Sequence, residues 1–161
     1  MNKLYIGIDP GKSGGVAIIY DDNLYAGKCP DTVHDMVEEV KVPLDMMAIP
    51  KSKAVIELVH SMPGNGVKSM FTFGQNYGTW LGIMAAIKIP YDIVPPGKWM
   101  KHYGTMPKDK KARKNKLKQL AQQAWPTHRI TLATADAVLI AMYCKANGPH
   151  QRRLIKGLMR G

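Results

Sequence analysis

Tyr5-Ile6-Gly7-Ile8-Asp9-Pro10-Gly11-Lys12-Ser13-Gly14-Gly15 is the stretch on which the fold turns. An alternating apolar run ends in an acid, a glycine-rich turn follows, and Val16-Ala17-Ile18-Ile19-Tyr20 resumes the strand pattern. Apolar runs bounded by Gly and Pro read as strands joined in a hairpin. Leu4–Ile8 and Val16–Tyr20 are therefore expected to be neighbouring antiparallel strands. Leu24–Gly27 follows the Asp21-Asp22-Asn23 turn as a third. Asp9 falls where the first strand ends, at the rim of a sheet. There it either fixes the turn through its side chain or serves metal or phosphate chemistry, with glycines that let another group approach.

Downstream, Asp31 or Thr32 is placed to cap a helix through Val33, Met36, Val37 and Val40, ended by Pro43. Its Asp35, Glu38 and Glu39 read as a solvated face. Ala54–His60 is a buried-type strand with one acid, Glu57, inside it. A polar, glycine-bearing loop, Ser61–Gly66, is expected to be mobile. Met70 to Ile87 is apolar nearly all round, which predicts a mostly buried helix. Its Gly74, Gly78 and Gly82 share one face, suited to helix-on-sheet packing or to a dimer contact. Tyr91–Val94 is a short strand stopped by Pro95-Pro96. A last helix, about Thr134 to Ala146, buries Ala137, Ile140, Ala141 and Cys144 and carries Asp136 in its first turn.

At 161 residues the chain suits one domain with a sizeable core. A formal charge of +11 favours an anionic partner, above all nucleic acid. The surplus is concentrated: Lys98 to Lys118 holds nine Lys or Arg against a single acid, Asp109. Leu117, Leu120, Ala121 and Ala124 give this segment an apolar helical stripe, and Lys110, Lys111, Lys114 and Lys118 cluster on another face. A merely solvated face normally carries compensating acids, so phosphate contact is the better reading. Cys29 and Cys144 belong to no CxxC pair and read as reduced core thiols. No signal peptide opens the chain, and the longest apolar run, Trp80 to Ile87, is too short for a bilayer, so a cytoplasmic protein is expected.

Asp9, Glu57 and Asp136 each lie in apolar surroundings, where unpaired acids are rare. Each has a dull explanation on its own. Together, converging at one sheet rim, they would repel one another unless cations neutralised them. Magnesium is bound by carboxylate oxygens, water and substrate phosphate. Two such ions about 3.5–4 Å apart can activate a water and stabilise the leaving oxygen of a phosphodiester.

The order strand–Asp9-Pro10-Gly11, then Ile56-Glu57 and a loop, then Ala135-Asp136-Ala137 on a helix, resembles the RuvC Holliday-junction resolvases of the RNase H-like superfamily. The likeness runs from about Lys3 to Tyr143. Met62-Pro63-Gly64 through Phe73-Gly74-Gln75-Asn76-Tyr77-Gly78 is similar to the loop and helix of phage-encoded RuvC-like proteins. The resemblance implies an α/β fold with a five-stranded mixed sheet flanked by helices, over residues 1–148. A basic, partly disordered tail, 149–161, would follow. It implies a homodimer that nicks four-way DNA junctions, with two Mg2+ or Mn2+ ions per active site held by Asp9, Glu57 and Asp136. Lys12, His60, Lys98, Lys108, Lys110, Lys111, Lys114 and Lys118 would contact DNA.

The chain departs from that family twice. Ala133 stands where a fourth ligand, Asp or His, is usual, with only Thr134 and His128 nearby. His60 stands where an aromatic wedge is common; it can still stack on a base. Its odd spacing in a strand would set it on the face opposite Glu57. Two other readings follow. One is a junction-binding protein with little or no cleavage. The other is an actin-like phosphotransferase that cradles a nucleotide on the glycine turn, although 161 residues are few for two lobes.

Overall fold

The computed structural model describes residues 3–47, 51–60, 64 and 66–147. Strands β1 (Leu4–Asp9), β2 (Gly15–Tyr20) and β3 (Asn23–Lys28) are followed by helix α1 (Val33–Met47), β4 (Ser52–Glu57) and α2 (Val67–Ala86). Then come β5 (Tyr91–Val94), the short α3 (Pro96–Lys101), α4 (Lys110–Ala124) and α5 (Ala135–Asn147). The sheet runs β3-β2-β1-β4-β5, with β1 in the centre. The opening hairpin forms as expected, Leu4 opposite Tyr20 through Asp9 opposite Gly15. β4 pairs with β1 in parallel and β5 with β4 in parallel, so the sheet is mixed.

Strand parity sorts the core into two layers. Ile6, Ile8, Ile18, Ala54 and Ile56 face α1 and α2 on one side. Ala17, Ile19, Val55 and Val94 face α3, α4 and α5 on the other. Asp9 and Glu57 have the parity of the second group, which points both toward α5. Gly7 has it too, and it admits α5 closely: a Cβ there would lie 2.2 Å from the Ala137 carbonyl oxygen and 2.2 Å from the Ala141 nitrogen. Nothing larger than glycine fits between this strand and this helix.

Several boundaries differ from the sequence reading. Pro43 does not end α1 but lies inside it. Its missing N–H removes one helical bond, while Met36 and Val40, buried on the sheet, keep the helix together. The helix begins where expected: the Thr32 hydroxyl accepts from the Asp35 amide and donates to the Asp35 carboxylate. β4 stops at Glu57, so this acid ends a strand and does not lie within one. The Leu58 amide still donates to the Val94 carbonyl, but Pro95 and Pro96 have no N–H to extend the ladder. The same prolines were expected only to stop β5; Pro96 in fact opens α3, as proline at a first helical position often does.

The expectation of a mostly buried helix fails for α2. Trp80, Ile83 and Met84 are its buried residues, since only one side of it rests on the layer shared with α1. Gly74, Gly78 and Gly82 face outward, with nothing among the described residues within 4 Å of an added Cβ. They do not pack on the sheet. Cys29 and Cys144 are buried free thiols, as expected. The expected loop mobility falls mostly outside the described residues, and the basic tail 149–161 does so entirely. Among the described residues, no helix is long and apolar enough to cross a membrane.

Candidate active site

β1 and β4 are parallel neighbours that end together, one step past the Ile8–Ile56 pair. Their last residues are Asp9 and Glu57. Ligands in α/β folds commonly bind at the carboxyl ends of such strands. α5 crosses the same end of the sheet and sets Asp136, in its first turn, against both acids. Gly15 permits this approach: a Cβ there would stand 2.6 Å from the Ala133 carbonyl oxygen, just before α5. Gly14 lets the turn fold back on Asp9, since a Cβ there would stand 2.0 Å from the Asp9 carbonyl oxygen.

Asp9 is 9% exposed and Asp136 4%. Burial, then the charges of Glu57 and Asp136, push the Asp9 carboxyl well above the usual carboxylate range, against a smaller opposing pull from Lys114. Burial likewise pushes Glu57 up to about 7, offset in part by a hydrogen bond from Trp99 and by the Lys114 charge. The Trp99 indole nitrogen donates to Glu57 Oε2 at 2.7 Å. Lys114, on α4, is the cation of the cluster: its ammonium donates to Asp136 Oδ2 at 2.6 Å. Burial lowers its pKa, but the bond to Asp136 and the charges of Asp136, Asp9 and Glu57 outweigh this, so the net shift is upward. The other Asp136 oxygen, Oδ1, is buried with no hydrogen-bond partner among the described residues.

Three carboxylates thus share one ammonium, and one buried oxygen lacks a donor. A hard divalent cation supplies what this set lacks. Among the described residues, no group of three His, Cys, Asp or Glu side chains is drawn together tightly enough to hold an ion by itself. Magnesium does not require such a cage, since one or two carboxylates with water and substrate phosphate commonly suffice. The residues present therefore fit Mg2+ or Mn2+. The two nearby substitutes for a fourth ligand are otherwise engaged. Thr134 is bonded to Thr131 in the turn that starts α5. His128 packs edge-on against Trp125, with ring centroids 5.4 Å apart.

Asp9 opens into a groove of ≈ 920 Å³ lined by the Pro10–Gly14 turn, the first turns of α2 and the start of α4. Lys12, Lys110 and Lys114 line it as expected, and so does Lys68. The other expected DNA contacts are not among its lining residues. His60 is exposed beyond the end of β4, so strand parity does not set it on the face opposite Glu57. Lys98, Lys108 and Lys111 are exposed near α3 and the start of α4. Lys118 lines a separate groove with Asn115, Gln119 and Gln122. Two helical turns, about 12 Å of rise, carry it past Lys110.

Sequence reasoning missed Lys68, Asn76 and Trp99. Lys68 is the only charged residue of α2, and a lone lysine in an apolar helix is the signal that was available. Asn76 Oδ1 accepts from the Gly11 amide at 2.7 Å, tying α2 to the turn beside Asp9. Gly11 takes a positive φ of 110° and faces the Phe73 ring, 2.8 Å from where a Cβ would be. The glycines read as room for a DNA backbone serve first to admit α5 and Phe73. Trp99 gave no signal, because its partner is 42 residues away.

No family model matches the chain, and no curated protein sequence does. Solved structures do match. RuvC of Thermus thermophilus in complex with a Holliday junction substrate aligns with a TM-score of 0.60 and 14% identity, over 89% of this chain and 92% of that one. A further Thermus thermophilus RuvC structure aligns with a TM-score of 0.56 and 15% identity, over 88% and 93%. This chain has the RuvC-type, RNase H-like fold: a five-stranded mixed sheet with flanking helices.

Proposed function

We propose that the protein is a metal-dependent endonuclease that nicks branched DNA, four-way junctions above all, and acts as a homodimer. The observation that carries this reading is the meeting of Asp9, Glu57 and Asp136 at one sheet rim, with Asp136 Oδ1 buried and unpartnered. Asp9, Glu57 and Asp136 would hold Mg2+ or Mn2+, about two ions per site, which would activate water and stabilise the leaving oxygen of a phosphodiester. Lys114 limits repulsion among the three acids and stands beside the groove where a phosphate would enter. Lys12, Lys68 and Lys110 bind the sugar–phosphate backbone by charge, which is largely independent of sequence and falls steeply with salt. The solved RuvC complex with a Holliday junction, on the same fold, supports branched DNA as the substrate class.

A second reading has its own observation. Ala133 supplies no fourth ligand, and the acids form no closed cage. Both fit a protein that binds junctions with little or no cutting. The two readings part on a denaturing gel of four-way, Y-shaped and linear DNA incubated with Mn2+. Wild type is expected to nick the branched substrates. Asp9→Asn and Asp136→Asn are expected to keep binding and lose nicking by about 10³-fold or more, as a metal ligand's removal would imply. Four-way junctions left intact by wild type would sink the nuclease and leave the binder.

A further inference from the structure

Trp99 is fully buried, at 0% exposure. It sits in α3, the short helix that Pro96 opens directly after β5. Its ring meets Tyr103 edge-on, with centroids 6.4 Å apart, and the Tyr103 hydroxyl donates to the Leu139 carbonyl on α5. The indole is therefore braced by a ring that is itself tied to α5. Burial alone does not account for its hydrogen bond, because the indole nitrogens of Trp80 and Trp125 are buried without partners among the described residues. Trp99 differs in reaching an acid at the end of β4, across 42 residues of chain.

We infer that Trp99 is a positioning residue: by fixing Glu57 Oε2 it leaves Oε1 as the oxygen offered to a cation, and so favours Mg2+ and Mn2+ over Ca2+. This rests on reading Glu57 as a metal ligand. An indole N–H on Oε2 draws on the lone pairs that a bidentate carboxylate would need. Ca2+ accepts bidentate carboxylates in loose geometry, whereas Mg2+ takes single oxygens in a strict octahedron. Partners that orient a ligand commonly change metal affinity or activity 10–100-fold.

The test uses the full chain and measures free Mn2+ by electron paramagnetic resonance, then its displacement by Mg2+ and by Ca2+. Trp99→Phe keeps an aromatic ring in the core and removes the donor. It is expected to weaken Mn2+ binding about 10-fold and to raise the effectiveness of Ca2+ as a competitor relative to Mg2+. In a Glu57→Gln background the same change should add nothing, since it acts through that carboxylate. A folded Trp99→Phe protein with wild-type Mn2+ affinity and wild-type metal preference overturns the inference. So does an undiminished effect in the Glu57→Gln background. Should Trp99→Phe fail to fold, wild type labelled with 15N at its indoles takes its place. Mg2+ should shift the Trp99 indole resonance, and a resonance that does not move overturns the inference. Wild type that binds no more Mn2+ than Asp136→Asn removes the metal site and this inference together. Mn2+ binding that Asp136→Asn loses, with an affinity and a metal preference that Trp99→Phe leaves intact, removes the inference alone.

Discussion

α2 and α5 have similar sequences in one respect: both are long helices with very little charge. α2 carries Lys68 alone, and α5 carries Asp136 and Lys145. Yet α5 buries nine residues and α2 three. α5 lies across the middle of the sheet, over β1, β2 and β4. α2 rests one side on the opposite layer and leaves Gly74, Gly78 and Gly82, along with Val67 and Phe71, facing outward. Glycine is put to opposite uses. Under α5, Gly7 admits another backbone; on α2, the glycines touch nothing. Burial is thus set by where an element lands on the sheet, and α5 lands where it must carry an acid into the interior.

The contrast can be broken most forcefully at Gly7. Gly7→Ala would push a methyl into the backbone of α5, which cannot step aside as a flexible side chain can. A loss of about 3 kcal/mol or more is expected, read as a lower denaturation midpoint or as failure to fold. Wild-type stability would mean that α5 does not lie as close to β1 as described.

Next in size is the charge that α5 helps to bury. Glu57 has an ordinary value of 4.5 and is raised to about 7 in the fold; Asp9 moves the same way. Between those values the folded protein holds a proton that the unfolded chain has released. In a chelator this contribution to stability is therefore full below about pH 4.5 and is lost as pH rises through 7, by on the order of 3 kcal/mol for Glu57 alone. Added Mn2+ should remove most of that fall, because it replaces the lost protons. A melting temperature flat from pH 5 to 8 in chelator would show that these acids are not buried together.

α2 enters the proposed function through its first turn. Lys68→Ala is expected to weaken junction binding about 3- to 10-fold and to reduce the salt slope by about 1, uniformly across sequences. Unchanged binding would take the α2 side of the groove out of the DNA path. The smallest effect is expected at Gly78. Gly78→Ala meets no atom and should stabilise the helix by about 0.5–1 kcal/mol. A loss that grows with protein concentration would mean that a second copy covers this face, the dimer contact considered from sequence.

Much of the molecule was legible from residue order. The hairpin around Asp9, the apolar stripe of Leu117 and Ala121, and the acid in the first turn of α5 all follow from local periodicity. Local periodicity depends on neighbours within a turn or a strand pair. Their apolar surroundings suggested that Asp9, Glu57 and Asp136 belong together, and resemblance then implied their role as metal ligands. Only tertiary structure decided the rest. It ended β4 at Glu57, because Pro95 and Pro96, which follow the neighbouring strand β5, offer no amide. It exposed the glycine face of α2 and gave Glu57 its indole partner. It also drew Lys114 onto Asp136 while α4 carried Lys118 past the groove. Each of these depends on which distant segment lies alongside, and that is fixed by how the layers pack.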